Sequence, residues 1–126
     1  MELIKGKVFD LPTPWTVHQL ISGTIAGELG NYLIGKSIEV FTAPFDVRLP
    51  RIFFNDKEIL TVVQPDICII CATEKVNDKG CIGAPDIVIE ILSPGNNKKE
   101  LKNQYEVYEE NGVLEYWIIH PQEKRF

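Results

Sequence analysis

The sequence has no apolar run approaching the roughly 20 residues that cross a bilayer. Its first residues, Met-Glu-Leu-Ile-Lys-Gly-Lys, lack the apolar centre of a signal peptide. Basic residues are not in excess, because 13 lysines and arginines stand against 18 acidic residues, for a net charge of −5. This balance argues against a non-specific nucleic-acid coat, but it is compatible with an enzyme whose acids bind metal. We expect a cytoplasmic protein with no membrane segment.

Cysteine is scarce and odd in number. Cys68, Cys71 and Cys81 come without an export signal, so they do not indicate a disulfide framework. Cys68 and Cys71 spell C-x-x-C, but on a strand two thiols three residues apart point to opposite faces. No second pair completes a zinc site. We expect buried cysteines, with a zinc or redox role as a minor alternative.

The 126 residues are expected to form a single domain, 1–126. Alternation over residues 2–11 predicts a short hairpin, and helical spacing predicts helices over 16–33 and 98–110, the second closed by Asn111-Gly112. Residues 73–81 have the polar composition of a hairpin-like loop. Strand-like runs occupy residues 37–41, 45–49, 59–63, 67–72, 83–94 and 113–119. This order predicts a mixed α/β sheet with helices packed on it.

The run Gly83-Ala-Pro-Asp-Ile-Val-Ile-Glu-Ile-Leu-Ser-Pro94 is the most informative. Alternation divides it into two faces: Ile87, Ile89 and Ile91 on one, and Asp86, Val88, Glu90 and Leu92 on the other. An unpaired carboxylate on a buried face costs several kcal/mol, and a divalent cation is a common compensator where carboxylates converge. The alternative is an edge strand with one face in water, on which Asp86 and Glu90 are merely solvated.

A second acid lies at the start of another buried-looking run. Gln64-Pro65-Asp66 interrupts two apolar runs, so Asp66 precedes the second one. If its strand neighbours that of Glu90, the two carboxylates suit Mg²⁺ or Mn²⁺, which combine one or two carboxylates with waters and substrate phosphate. A lysine of the next helix would then stabilise a scissile phosphate or orient the attacking water. The residues alone favour a metal-dependent phosphodiesterase.

The first predicted helix contributes two further candidates. His18, Ile21, Ile25 and Glu28 recur along one stripe of it. A histidine at a helix start is more often a surface or capping residue than a ligand, which is the simpler interpretation of His18. Glu28 is placed to point at a neighbouring strand.

Several segments together match one known pattern. They are Val-Val-Gln-Pro-Asp66-Ile, the run from Gly83 to Pro94, Ala-Pro-Phe-Asp46-Val, His18, and a C-terminal set of Tyr108, Gly112-Val113, residues 115–119 and Pro121. In this respect the chain resembles the Uma-two family of restriction endonucleases, within the PD-(D/E)XK nuclease superfamily. The resemblance covers nearly the whole chain, in the right order, and is most specific around Glu90.

The resemblance implies a restriction-endonuclease-like fold, in which helices flank a mixed β-sheet with an α-β-β-β-α-β core. It implies that Asp66 and Glu90 hold Mg²⁺ or Mn²⁺. Asp86 matches a further family position, and Glu28 stands where related nucleases use a helix glutamate. DNA would be the substrate, cleaved by hydrolysis of phosphodiester bonds.

The chain departs from the family pattern at the basic residue. Leu92 stands two residues after Glu90, where the superfamily has lysine, and the Uma-two pattern uses a lysine on the next helix instead. That position is Gln104 here, and Lys102 lies about 200° away around the helix. Three interpretations remain open: Gln104 serves, Lys99 or Lys102 reaches in, or the site is catalytically weak.

The chain also departs in length, since family members begin earlier and continue beyond the strand of Trp117. We expect a shortened or truncated C-terminal part, whose incomplete sheet edge favours a homodimer. The leading hypothesis is a divalent-metal-dependent DNA endonuclease. The alternative is a catalytically degenerate nuclease-fold module that serves binding or assembly.

Overall fold

The computed structural model describes residues 2–4, 7–9, 16–52, 58–92 and 98–121. Two helices and nine strands occur there, with one 3₁₀ turn at Thr73–Lys75. In chain order they are β1 (Glu2–Ile4), β2 (Lys7–Phe9), α1 (Thr16–Tyr32), β3 (Glu39–Thr42), β4 (Asp46–Ile52), β5 (Glu58–Val63), β6 (Ile67–Ile70), β7 (Gly80–Ile82), β8 (Ile87–Ile91), α2 (Lys98–Glu110) and β9 (Glu115–Ile119).

The strands form two sheets. The four-stranded sheet has the order β3-β6-β8-β9, and the five-stranded sheet has the order β2-β1-β5-β4-β7. Within the four-stranded sheet, β3, β6 and β8 are antiparallel, whereas β8 and β9 are parallel because α2 connects them. With α1 before β3, this sheet and its helices follow the order α-β-β-β-α-β. The predicted core is confirmed.

Helix α1 packs on one face of the four-stranded sheet through apolar residues three and four apart. Its inner side chains contact a buried isoleucine cluster: Ile21, Ile25, Ala26 and Leu29 lie against Ile67, Ile89, Ile91 and Ile119. None of the α1 residues is fully buried. The helix is therefore held by this single stripe, and each isoleucine that is fully buried there contributes about 1.5–3 kcal/mol.

The opposite face of the four-stranded sheet packs against the five-stranded sheet and α2. All three layers contribute to this second core. The five-stranded sheet supplies Ile4, Val47, Leu49 and Val63, the four-stranded sheet supplies Cys68, Ile70 and Val88, and α2 supplies Val107 and Tyr108. Val88 and Ile89 thus face different cores, as alternation along β8 predicts. Side chains on the Val88 face, Glu90 among them, point to the region between the sheets.

Most element boundaries agree with the sequence, and one region differs. β1 and β2 pair antiparallel, so the N-terminal hairpin is confirmed apart from residues 5–6 of its turn, which lie outside the described part. α2 spans the expected residues, Lys98–Glu110, and Gly112 follows its end with a φ of 85°, which suits glycine. The expected hairpin-like loop 73–81 has an antiparallel bridge between Val76 and Cys81, but its end also enters β7, which pairs with β4 and was not expected. Gly80 permits this pairing, since a Cβ there would overlap the backbone of Asp46.

Two of the three cysteines lie in the apolar core. Cys68 and Cys81 are buried, as expected, but the prediction is wrong for Cys71, which is exposed because β6 ends one residue earlier; all three are free. Burial raises the pKa of the Cys68 thiol and raises that of Cys81 to about 11, so both remain protonated near neutral pH. In the same described residues, no helix has the length and apolar character needed to span a membrane.

Candidate active site

Two acidic residues meet where β6 and β8 lie side by side. Ile67 of β6 stands opposite Ile89 of β8. Because the two strands are antiparallel, the residue before Ile67 and the residue after Ile89 also face each other. These residues are Asp66 and Glu90. The sequence-based expectation that their strands are neighbours is therefore met, and both carboxyl groups lie at one end of the antiparallel pair.

Glu90 is the more buried of the two, with 8% of its surface exposed. Desolvation by burial raises the pKa of its carboxyl group well above the ordinary value, and the nearby carboxylates of Asp66 and Glu2 raise it further. The Tyr108 hydroxyl donates a hydrogen bond of 3.3 Å to Glu90 Oε1 and opposes part of that shift. Burial beside two other carboxyl groups therefore favours the protonated form of Glu90.

Asp66 is fixed by two contacts on its two carboxylate oxygens. Oδ2 accepts a hydrogen bond of 2.7 Å from the backbone amide of Ile91, the residue after Glu90. Oδ1 lies 3.1 Å from Nε2 of His18, at the start of α1. The side chain of Asp66 is still 17% exposed, so solvent reaches this carboxylate. The sequence left His18 as a surface or capping residue, whereas the fold brings it to the acid pair.

A third carboxylate, that of Glu2 on β1, completes the group. Its side chain is buried, and desolvation raises its pKa. Oε2 accepts a hydrogen bond of 2.7 Å from the backbone amide of Gln64, and Oε1 accepts one of 2.6 Å from Nε2 of Gln104. Repulsion between Glu2 and both Asp66 and Glu90 contributes to the raised pKa values. The three carboxyl groups therefore share one electrostatic environment.

Helix α2 presents one face to these acids. Gln104 and Tyr108 are four residues apart, so they lie one turn apart on the same face. Gln104 contacts Glu2 and Tyr108 contacts Glu90. Lys102 is exposed on another face of the helix, and the side chains of residues 98–100 lie outside the described part. Of the candidates for the missing lysine, the fold brings Gln104 to the acids and leaves Lys102 in solvent.

Tyr116 on β9 adds a buried hydroxyl near the same acids. Desolvation by burial raises its pKa, and the Glu90 and Glu2 carboxylates raise it further. Its ring packs against that of Tyr108, with centroids 5.1 Å apart. Among the residues that the structure describes, the buried Tyr116 hydroxyl oxygen has no hydrogen-bond partner. A water or a bound group beside the acids would satisfy it.

The other two sequence-based candidates do not join this group. Asp86 is four residues from Glu90 on the same chain, about 13 Å along the strand. Its Oδ2 accepts a 2.7 Å hydrogen bond from the backbone amide of Cys71, which is a turn-capping role. Glu28 is exposed on α1, ten residues or about 15 Å beyond His18.

The donor set matches a cation that takes few protein ligands. Within the described residues, no group of three or more His, Cys, Asp or Glu side chains is arranged to hold a metal ion. Glu2 is 2% exposed, and its two oxygens accept hydrogen bonds from the Gln64 amide and from the Gln104 side chain. Asp66 and Glu90 remain as two adjacent carboxylates, a set that suits Mg²⁺ or Mn²⁺ completed by water and phosphate.

Sequence reasoning missed Glu2, although a signal was present. Glu2 and Ile4 are two residues apart on a strand, and Ile4 belongs to the core between the sheets. A carboxylate that shares a face with a core isoleucine must be compensated. Its partners Gln64 and Gln104 lie 62 and 102 residues away, so local pattern could not identify them.

Two facing carboxylates on an α-β-β-β-α-β sheet define a restriction-endonuclease-like fold, and a solved structure shares it. That structure is described as "a putative nuclease belonging to DUF820" from Anabaena variabilis. It matches with a TM-score of 0.77 at 22% identity. The match covers 97% of this chain and 66% of that one, so this chain spans slightly less than two thirds of its length.

The family follows from the sequence match. The whole chain, residues 1–126, matches the model of the Uma2 family, described as "Putative restriction endonuclease". The chain therefore belongs to the Uma2 family, and the resemblance noted in the sequence is confirmed. No curated protein matches it.

Proposed function

We propose that this chain is a divalent-metal-dependent DNA endonuclease that hydrolyses phosphodiester bonds at the Asp66–Glu90 pair. The opposition of these two carboxylates across β6 and β8 carries the proposal, in a family described as restriction endonucleases. Mg²⁺ or Mn²⁺ is the proposed ion, because both bind carboxylate oxygen and leave positions for water and phosphate.

The electrostatics of the site support a cation there. Three acids lie in one environment, and within the described part of the chain His18 alone forms an ion-pair contact with any of them. A divalent ion would replace the proton on Glu90 and compensate the remaining negative charge. The affinity of the site for the ion would increase as the pH rises, because the carboxyl groups must be deprotonated to bind it.

The residues of the chain would have distinct roles around such an ion. When bound, the metal would polarise the phosphate and make a bound water more acidic. Asp66 and Glu90 would hold it, while His18 and the Ile91 amide keep Asp66 in place. Gln104 can exchange hydrogen bonds with water or a phosphate oxygen, but it cannot supply the positive charge of a lysine.

The test is cleavage of supercoiled plasmid in Mg²⁺ or Mn²⁺. Wild type should nick or linearise the DNA, a chelator should stop it, and Glu90→Ala and Asp66→Ala should be inactive. Glu109→Gln is the matched control, because it removes one carboxylate from an exposed position on α2. The proposal fails if concentrated wild type cuts nothing, or if Glu90→Ala purified in parallel cuts equally well.

A second candidate function is a degenerate nuclease fold that acts as a binding or assembly module. The neutral Gln104 at the family's lysine position favours it, since Gln104 leaves the acids without a nearby lysine from the described helix face. Calorimetric titration with Mn²⁺ separates the two functions. Absence of binding favours the module, whereas binding that is lost in Asp66→Ala favours the nuclease.

The proposed substrate is DNA in the cytoplasm, and we propose that a homodimer cuts it. β9 is at the edge of the four-stranded sheet, and the nearby Leu114 and Trp117 are exposed. Open sheet edges with exposed apolar side chains favour association. Sedimentation equilibrium should give twice the chain mass, and Trp117→Lys should shift the protein toward the monomer. A wild-type monomer at high concentration would contradict this arrangement.

A further inference from the structure

The proposed metal chemistry assigns roles to Asp66 and Glu90 but none to Glu2, the third acid of the group. Only 2% of its surface is exposed. It lies on the three-residue strand β1, which pairs with β2 on one side and with β5 on the other. A buried carboxylate costs several kcal/mol unless its oxygens are hydrogen-bonded. Both Glu2 oxygens are satisfied, one by a backbone amide and one by the Gln104 side chain.

The two partners of Glu2 connect it to both halves of the proposed site. Gln64, whose backbone amide donates to Oε2, comes two residues before Asp66. Gln104, whose Nε2 donates to Oε1, lies one helical turn before Tyr108, which contacts Glu90. A single carboxylate thus ties α2 to the segment that leads into β6.

The chemistry of these partners determines which way the Gln104 amide faces. The Gln104 atom beside Oε1 is the amide nitrogen, which donates to the carboxyl oxygen of Glu2. At 2.6 Å this is a short, charge-assisted bond. Gln104 therefore presents its carbonyl oxygen, which is an acceptor, on the other side of the amide group from Glu2 Oε1, together with one remaining N–H. An acceptor at this position can take a hydrogen bond from a water molecule, whereas a lysine can only donate one to it.

We propose that Glu2 is a positioning residue of this active site, which fixes the Gln104 amide with its carbonyl oxygen available to orient a water beside the Asp66–Glu90 pair. The proposal rests on the proposed nuclease function. It assigns Gln104 the role of hydrogen-bond acceptor rather than that of a weakened lysine. It also explains why a buried strand has a glutamate at position 2.

Glu2→Gln tests the orientation while preserving the packing. In this variant the new carbonyl can accept from the Gln64 amide, and the new NH₂ can donate to Gln104 only if the Gln104 amide turns over. Both hydrogen bonds persist, but the Gln104 carbonyl is now occupied. The reversed pair, Glu2→Gln with Gln104→Glu, restores a carboxylate–amide bond but places the charge on α2.

The first measurement is the kinetics of plasmid cleavage. Glu2→Gln should lower kcat by about 10- to 100-fold, as is usual when a supporting residue is altered. KM for DNA and the thermal midpoint should stay near the wild-type values, and the exposed control Glu109→Gln should behave as wild type. The reversed pair should match the wild-type thermal midpoint without recovering kcat. Wild-type kcat in either variant, or a fall in kcat that only parallels lost stability, would overturn the proposal.

The second measurement does not depend on cleavage. In a side-chain amide NMR spectrum of the wild type, one Gln104 N–H proton should be shifted downfield by the short bond to Glu2, and Glu2→Gln should remove that shift. If the wild type shows no shifted proton, the positioning proposal is wrong even if DNA is cut. If the shift is present but wild type cuts no DNA, the nuclease function fails while the Glu2–Gln104 orientation stands.

Discussion

Glu90→Gln should alter the pH dependence of stability in a direction that the site dictates. Desolvation by burial, followed by repulsion from Asp66 and Glu2, raises the pKa of Glu90 well above the ordinary 4.5. The folded protein keeps a proton there over a pH range in which the unfolded chain has lost it. The stability contributed by this group is therefore present below the unfolded pKa and is lost as the pH rises through the folded pKa.

The magnitude follows from the linkage relation. Between the two pKa values, each pH unit costs wild type about 1.4 kcal/mol. The side chains of Glu90 and Asp66 are hydrogen-bonded to each other, and the Tyr108 hydroxyl donates to Glu90. Glutamine at position 90 mimics the protonated acid, because its carbonyl can accept from Tyr108 and its NH₂ can donate to Asp66. Near the unfolded pKa, the variant and wild type should have the same free energy of unfolding. Above it, the free energy of unfolding of the variant should exceed that of wild type by about 1.4 kcal/mol per pH unit until the folded pKa is reached.

Urea unfolding of wild type, Glu90→Gln and the exposed control Glu109→Gln at intervals from about pH 5 to about pH 8 measures this difference. At the upper end of this pH range, Mn²⁺ should make wild type more stable than Glu90→Gln. The ion stabilises wild type by binding in place of the proton, whereas the variant lacks the carboxylate. Parallel pH profiles for wild type and Glu90→Gln would refute the reasoning, because they would mean that Glu90 is ionised in the folded protein.

Three further changes test the surroundings of the site. Tyr108→Phe removes the hydroxyl that donates to Glu90 and should cost about 1–3 kcal/mol in urea unfolding, so an unchanged midpoint would contradict this hydrogen bond. A thiol reagent should modify Cys71 alone in the native protein and all three cysteines after unfolding; rapid native labelling of Cys81 would contradict its burial. Gly27→Ala should stabilise α1 by about 0.5–1 kcal/mol, whereas Gly112→Ala should destabilise by about 1 kcal/mol because its φ is positive; effects of the same sign on the two thermal midpoints would contradict this account.

Alternation along β8 was enough to predict much of this architecture. Ile87, Ile89 and Ile91 do face the α1 core, and Val88 faces the core between the sheets. The pattern was reliable because both faces of the strand are buried, so each residue's environment is fixed by its parity. Since Asp66 begins the neighbouring strand, the acid pair could be anticipated as well.

Contacts between residues distant in sequence could not be predicted in this way. The hydrogen bonds of Glu2 join residues up to 102 positions apart, and they depend on how two sheets and a helix meet. Asp86 has the same strand parity as Glu90, yet its carboxylate caps the backbone at Cys71 instead of joining the acids. Parity gives the face of a residue but not its position along the strand relative to other elements. β7 was missed because its pairing depends on the close backbone approach at Gly80.

The central claim is that Asp66 and Glu90 form one divalent-metal site, and a crystal soaked in Mn²⁺ tests it most directly. Anomalous scattering from manganese should give one peak between the two side chains, within about 2.0–2.6 Å of an oxygen of each, as expected for hard-cation ligands. The same peak should be absent from Glu90→Gln and present in Glu109→Gln. No peak between Asp66 and Glu90, or a peak that persists unchanged in Glu90→Gln, would contradict the account.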